Sequence, residues 1–156
     1  MNEQEIAFLN KRIMVCPRCF KEKCDHTYKP DESIEIDASM QEVLEILNQK
    51  RYFTVYHCGG HTDEEAIFIY IMLAKFLEFP DDVNVKIGEG WKFSAKENII
   101  EYRLNEKATK KLSLEERAKL LYSKQSELLA WAKSLKPREG NTLSENIMKS
   151  FSFAEF

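Results

Sequence analysis

The stretch Cys16-Pro17-Arg18-Cys19-Phe20-Lys21-Glu22-Lys23-Cys24-Asp25-His26 most limits what this chain can become. It holds three of the four cysteines and one of the three histidines in a sequence of 156 residues. Zinc takes thiolate and imidazole ligands at four tetrahedral corners. A Cys-x2-Cys turn brings two thiolates to one point because the chain reverses between them, and Pro17 favours the reversal by fixing its own φ. Cys24 and His26, two apart, suit a tight loop and not a helix. The expectation is a structural zinc bound by Cys16, Cys19, Cys24 and His26. The alternatives are free thiols, or a ribbon-like site in which Cys58 and His61 complete a set begun by Cys16 and Cys19.

A disulfide fits this spacing poorly if the protein is kept in a reducing compartment. The N-terminus opens on Asn2, Glu3, Gln4 and Glu5, not on a basic stretch followed by an apolar one, so no secretory signal is expected. No apolar run approaches membrane-spanning length, and the expected setting is the cytoplasm without membrane partners. Hydrophobic content of 44% and charged content of 31% are those of a globular protein large enough to bury a core. The net charge of −3 argues against attachment to nucleic acid by overall field alone and leaves a local basic face open.

Element signals follow in order. Ile6, Leu9, Ile13 and Met14 suggest a short amphipathic helix leading into the cysteine loop, with an extended end near Ile13-Met14-Val15. Ile34-Glu35-Ile36-Asp37 alternates as a short strand does. Ser39 with Glu42 has the capping-box form, and Met40, Val43, Leu44 and Leu47 recur at helical spacing behind it. Tyr52 to Tyr56 reads as a strand, and Ala66 to Ala74 as a buried central one. Lys75 to Asp82 reads as a connection. Val83 to Ile87 and Trp91 to Phe93 read as a hairpin about Gly88-Glu89-Gly90, and Asn98 to Leu104 as a further strand. Ser113 with Glu116 repeats the capping box and opens a long helix to about Leu135, with Leu114, Ala118, Leu121, Leu128 and Ala132 on one stripe.

The expected fold is therefore α+β. A mostly antiparallel sheet of about four or five strands is packed by two main helices, with a zinc loop at the N-terminal edge. Residues 1–140 form one domain that includes the loop 16–26. Residues 141–156 form an apolar tail, carrying Leu143, Ile147, Phe151, Phe153 and Phe156, that packs on the domain or on a partner, with a second copy of the chain among the options.

The second stretch with chemistry is His57-Cys58-Gly59-Gly60-His61, at the end of the Tyr52 strand. Imidazole and thiol are the side chains most readily tuned for proton transfer, nucleophilic attack or metal binding. The two glycines permit positive φ and close backbone approach. The bland alternative is a tight strand-end turn with hydrogen-bonded histidines. Asp63, Glu64 and Glu65 read as solvation for the loop more readily than as partners for an imidazole.

The run from Ile36 through Ser39, Leu44-Glu45-Ile46-Leu47-Asn48, Tyr52-Phe53-Thr54 and Cys58-Gly59-Gly60-His61 resembles a family of uncharacterised bacterial and phage proteins. Its members similarly join a Cys-x2-Cys segment to a helix, a Tyr-x-Thr strand and a Cys-x-Gly-His turn. More remotely, the run is similar to the wybutosine-synthesising tRNA methyltransferases, whose turn reads Ser-Cys-Ser-Gly-Arg. Cys58 and Gly60 match that turn, while His57, Gly59 and His61 replace its two serines and its arginine. Neither substrate nor methyl donor is carried over.

Two functions are expected. One is a non-catalytic zinc-containing binding protein using His57, Cys58, Gly59, Gly60 and His61 to hold a protein partner or small ligand. The other is an enzyme acting on nucleotides or RNA, with Cys58, His57 and His61 at its centre. No complete catalytic set or cofactor motif is legible, which favours the first.

Overall fold

A computed structural model describes residues 1–74, 87–94 and 96–138. The expectations for the connection Lys75–Asp82, for the strand Val83–Ile87 short of Ile87 itself, and for the tail 141–156 lie outside the described residues.

The chain is an α+β protein with two antiparallel sheets. The small one pairs β1 (Arg12–Val15) with β2 (Ile34–Asp37), in a register that sets Arg12 opposite Asp37 and Val15 opposite Ile34. The larger one has four strands in the order β3 (Thr54–Cys58), β4 (Ile67–Leu73), β6 (Ile99–Leu104), β5 (Trp91–Ser94). Helix α1 (Glu3–Leu9) precedes β1, α2 (Gln41–Gln49) precedes β3, and α3 (Glu106–Lys110) and α4 (Leu114–Ser134) follow β6. The short α3 has no apolar periodicity and escaped the sequence pattern.

Helices α2 and α4 pack together, and their apolar residues share a core with one face of the larger sheet. Burial along β4 alternates strictly: Ile67, Ile69, Ile71 and Leu73 are buried, whereas Phe68, Tyr70 and Met72 are half-buried. The continuous apolar run thus supplies a one-sided strand. Its other face is closed by rings and a guanidinium. Phe68 and Tyr70 lie with centroids 4.8 Å apart, and Arg103 stacks on Phe68 at 4.0 Å.

Helix α4 begins with a true capping box: Ser113 Oγ accepts from the Glu116 N–H at 3.1 Å, and the Glu116 carboxylate accepts from the Ser113 N–H at 3.0 Å. Ala118, Leu121, Leu128 and Ala132 are buried along its stripe, but Leu114, in its first turn, is exposed. Its far end is closed by Lys50, whose ammonium donates to the carbonyls of Ala132, Lys133 and Leu135 at 2.9, 2.7 and 2.7 Å.

The second capping-box pattern does not form. Ala38–Met40 is a 3-10 turn, Met40 takes the cap position of α2, and no side chain caps that helix. Ala38 and Met40 are both buried, so packing of this turn overrides the local signal from Ser39. The Ser39 hydroxyl is buried with no hydrogen-bond partner among the described residues.

Candidate functional site

The β1–β2 hairpin carries one group of chemically active residues at each end. At the loop end, the chain leaves β1 at Val15 and turns at once. The Cys16 N–H donates to the Lys21 carbonyl at 2.8 Å, and the Phe20 N–H donates to the Cys16 carbonyl at 3.0 Å. Phe20 takes a left-handed conformation with φ 62°, a strained state for a bulky residue. Its ring is buried and its carbonyl accepts from Gln41 Nε2 at 2.9 Å, which pins the turn to the start of α2. The result is that Cys16, Cys19, Cys24 and His26 offer ligand atoms that all lie within 4.8 Å of one another.

The electrostatics of this group suit a cation. Burial lifts the Cys19 thiol to about 11, and the neighbouring Cys24 and Cys16 sulfurs add to the rise. Cys16 moves the other way: burial opposes ionisation, but backbone N–H donation from Arg18 and Cys19 outweighs it. Three thiols this close cannot all ionise unaided, and a divalent ion is what makes three adjacent thiolates stable. The four residues could hold a metal ion, and their Cys3His donor set fits zinc.

At the open end of the hairpin lies a second group. Asp37, Cys58 and His61 also offer ligand atoms within 4.8 Å of one another. Cys58 and His61 therefore join Asp37, and among the described residues the groups that could hold a metal are two separate sets. The ribbon-like site of Cys16, Cys19, Cys58 and His61 is not formed.

Asp37 organises this end. One carboxylate oxygen, Oδ2, accepts from the Gly59 N–H at 2.7 Å; the other, Oδ1, faces His61 Nε2 at 3.1 Å. The Asp37 N–H donates to His57 Nε2 at 3.2 Å, which makes Nε2 an acceptor and places the ring proton of neutral His57 on Nδ1. Burial, the largest influence, holds His57 below the ordinary histidine range. His57 is thus a hydrogen-bonded prop for β2. His61 is bracketed, with Nδ1 2.6 Å from Glu64 Oε1. Burial opposes its protonation, but the hydrogen bonds that its ring donates to Glu64 and Asp37 outweigh this and lift its pKa above the ordinary value. Glu64 is therefore an imidazole partner and not only loop solvation.

The loop itself is seated in the protein. Gly59, Gly60, His61 and Thr62 are all buried. The Gly59 carbonyl accepts from Gln125 of α4 at 2.7 Å, and Gly60 has φ +79°. Thr62 is clamped by Asn10, whose side chain donates to its hydroxyl at 2.8 Å and accepts its N–H at 3.0 Å, and by Arg117 on its carbonyl at 3.2 Å. His57 and Cys58 are half-buried, Glu64 is exposed, and the exposed Arg12 side chain reaches Asp37 at 3.7 Å, so the group borders solvent. Burial pushes the Cys58 thiol up. Sequence reasoning missed Asp37 and Gln125, and it ranked the role of Glu64 as an imidazole partner below solvation; the alternation ending at Asp37 was the one signal pointing to either of the missed residues.

No family model, curated protein or solved structure matches this chain.

Proposed function

We propose that this is a non-catalytic, zinc-containing binding protein. A structural zinc on Cys16, Cys19, Cys24 and His26 closes the β1–β2 hairpin, and the group beside the His57–His61 loop holds a small ligand. The observation that carries the first half is the convergence of four soft and borderline donors on one point, through a turn that holds Phe20 in a strained conformation. The second half is supported by the burial of the loop backbone. A loop whose backbone is enclosed by α4, Asn10 and Asp37 offers the half-buried His57 and Cys58 side chains and not its main chain, which favours a small ligand.

Binding is favoured over catalysis by the partners of His61. A cysteine nucleophile needs a base that takes its proton. Here both ring nitrogens of His61 face carboxylates, and Cys58 Sγ accepts only a 3.5 Å contact from the Gly60 N–H. The thiol is held in its unreactive form.

Metal analysis tests the zinc. Cys19→Ser should remove at least one equivalent relative to the parent and lower the melting temperature, because metal-binding energy here is folding energy. A Cys19→Ser protein that holds as much zinc as the parent and melts at the same temperature overturns the reading.

A further inference from the structure

We propose that Asp37, Cys58 and His61 form a second metal site, for a zinc-like divalent ion, with Glu64 as the positioning residue behind His61. The proposal deepens the reading of the loop as a small-ligand site and rests on it for that site alone; the N-terminal zinc is independent of it.

The geometry is specific. A metal-ligating histidine binds through one nitrogen and donates its other N–H to a carboxylate, which fixes the tautomer and ring plane. His61 is arranged in that way. Nε2 faces Asp37 Oδ1 at 3.1 Å in the group that Cys58 Sγ completes, and Nδ1 lies 2.6 Å from Glu64 Oε1. Asp37 is arranged likewise: Oδ2 is occupied by the Gly59 N–H at 2.7 Å, leaving Oδ1 directed at the group. Each of the first two ligands thus has one atom anchored by the protein and one atom aimed at a common point.

A purely structural salt bridge of His61 between two carboxylates explains less. It gives no role to Cys58, whose sulfur comes within 4.8 Å of both other ligand atoms while receiving only one long N–H contact. It also buries Asp37 and His61 in a cluster more acidic than their pairing needs, since Glu64 is a second carboxylate on one imidazole.

The donor set selects the ion. One thiolate, one imidazole and one carboxylate suit a borderline cation such as Zn2+ or Co2+, whereas Mg2+ and Ca2+ require oxygen ligands throughout. Binding displaces the Cys58 thiol proton and any proton on His61 Nε2 to solvent, so each ion taken up releases protons. Three protein ligands leave one tetrahedral corner for water or a small ligand atom. Arg12 is an opposing charge nearby: its Nε lies 3.7 Å from Asp37 Oδ1. Its side chain is exposed and its Nη1 lies 3.1 Å from Glu35, so an ion at the site would compete with a guanidinium that Glu35 partly neutralises.

The test uses the full chain, loaded with zinc or cobalt and titrated against a chelator. The parent should hold two equivalents. Cys58→Ser should lose one of them, together with the single-thiolate part of the cobalt charge-transfer absorption, and keep the N-terminal ion. Glu64→Gln, at an exposed side chain, should fold as the parent does and weaken the second equivalent by about 10–100-fold. Should His61→Gln fail to fold, these two milder variants decide. One equivalent in the parent, lost in Cys19→Ser and kept in Cys58→Ser, overturns the second site and leaves the N-terminal zinc standing. One equivalent lost in Cys58→Ser and unaffected by Cys19→Ser supports the second site and overturns the N-terminal one. A second equivalent with unchanged affinity in both Cys58→Ser and Glu64→Gln places it elsewhere and also overturns the proposal.

Discussion

Gly60→Ala isolates how firmly the loop is seated. Gly60 has φ +79°, a conformation an alanine adopts at a cost of about 1–2 kcal/mol. A Cβ added there would lie 2.6 Å from Leu121 Cδ2 and 3.2 Å from Ile69 Cγ1. Leu121 and Ile69 are both fully buried, so neither can swing aside into solvent. Forcing a methyl into such a contact costs roughly 1–3 kcal/mol more. Together the two effects come to about 2–5 kcal/mol, an exceptional loss for one methyl group. For a chain of this size that is a fall of roughly 4–20 °C in melting temperature. Urea unfolding should show a lower midpoint with an unchanged slope. Gly59→Ala is the internal comparison. Its φ is not in the left-handed region, and its Cβ would meet the flexible Met40 side chain at 2.9 Å and Gln125 Nε2 at 3.0 Å. It should cost less than Gly60→Ala, with only the steric part of roughly 1–3 kcal/mol. If Gly60→Ala stays within about 0.5 kcal/mol of the parent, the loop is not wedged between α4 and β4 and the reasoning fails.

Three further outcomes are expected. Lys50→Met keeps the aliphatic stem but removes three donors from the carbonyls ending α4; since water can reach part of that end, the cost should be about 1.5–3 kcal/mol, that of one charged hydrogen bond, read from thermal melts. Ser113→Ala should cost about 1 kcal/mol by loss of the helix cap. In the same capping box, donation from the Ser113 N–H holds the Glu116 carboxyl below its ordinary range, so its contribution is present above that range and lost as pH falls through the lower folded value. Glu116→Gln should therefore make the acid limb of the stability profile shallower, and an unchanged limb would count against this assignment.

The cysteine loop was legible because all its ligands are local. Spacing alone predicts that Cys16, Cys19, Cys24 and His26 can meet, and tertiary structure is needed only to hold Phe20 and its carbonyl. The helices and strands were legible wherever period and caps agreed, as at Ser113 and along β4. The same cap signal at Ser39 misled, because burial of Ala38 and Met40 decides that turn and no local pattern encodes it. The loop was half legible. Its residue types announced chemistry, yet its depth was hidden: whether a Gly-Gly turn lies on the surface or under a helix depends on Gln125 and Leu121, more than sixty residues downstream.

Asp37 was the least legible residue, and it joins the two ends of the molecule's chemistry. It sits opposite Arg12 in the hairpin, while Val15, one residue before Cys16, sits opposite Ile34. The two groups that could hold a metal are thus separated by a ladder of four residue pairs, roughly 10 Å at the usual strand rise. A two-stranded sheet is marginal by itself. Here its register is fixed at one end by the turn through Cys16 to His26, and at the other by Asp37 on His57, Gly59 and His61. A slip of one residue would turn Asp37 outward and put Ile36 or Ala38 in its place. An ion bound by the cysteines would therefore do more than close a loop. By holding the register of β1 against β2, it would keep Asp37 Oδ1 facing His61, where a neighbouring residue would have neither its Gly59 anchor nor its place in the group with Cys58.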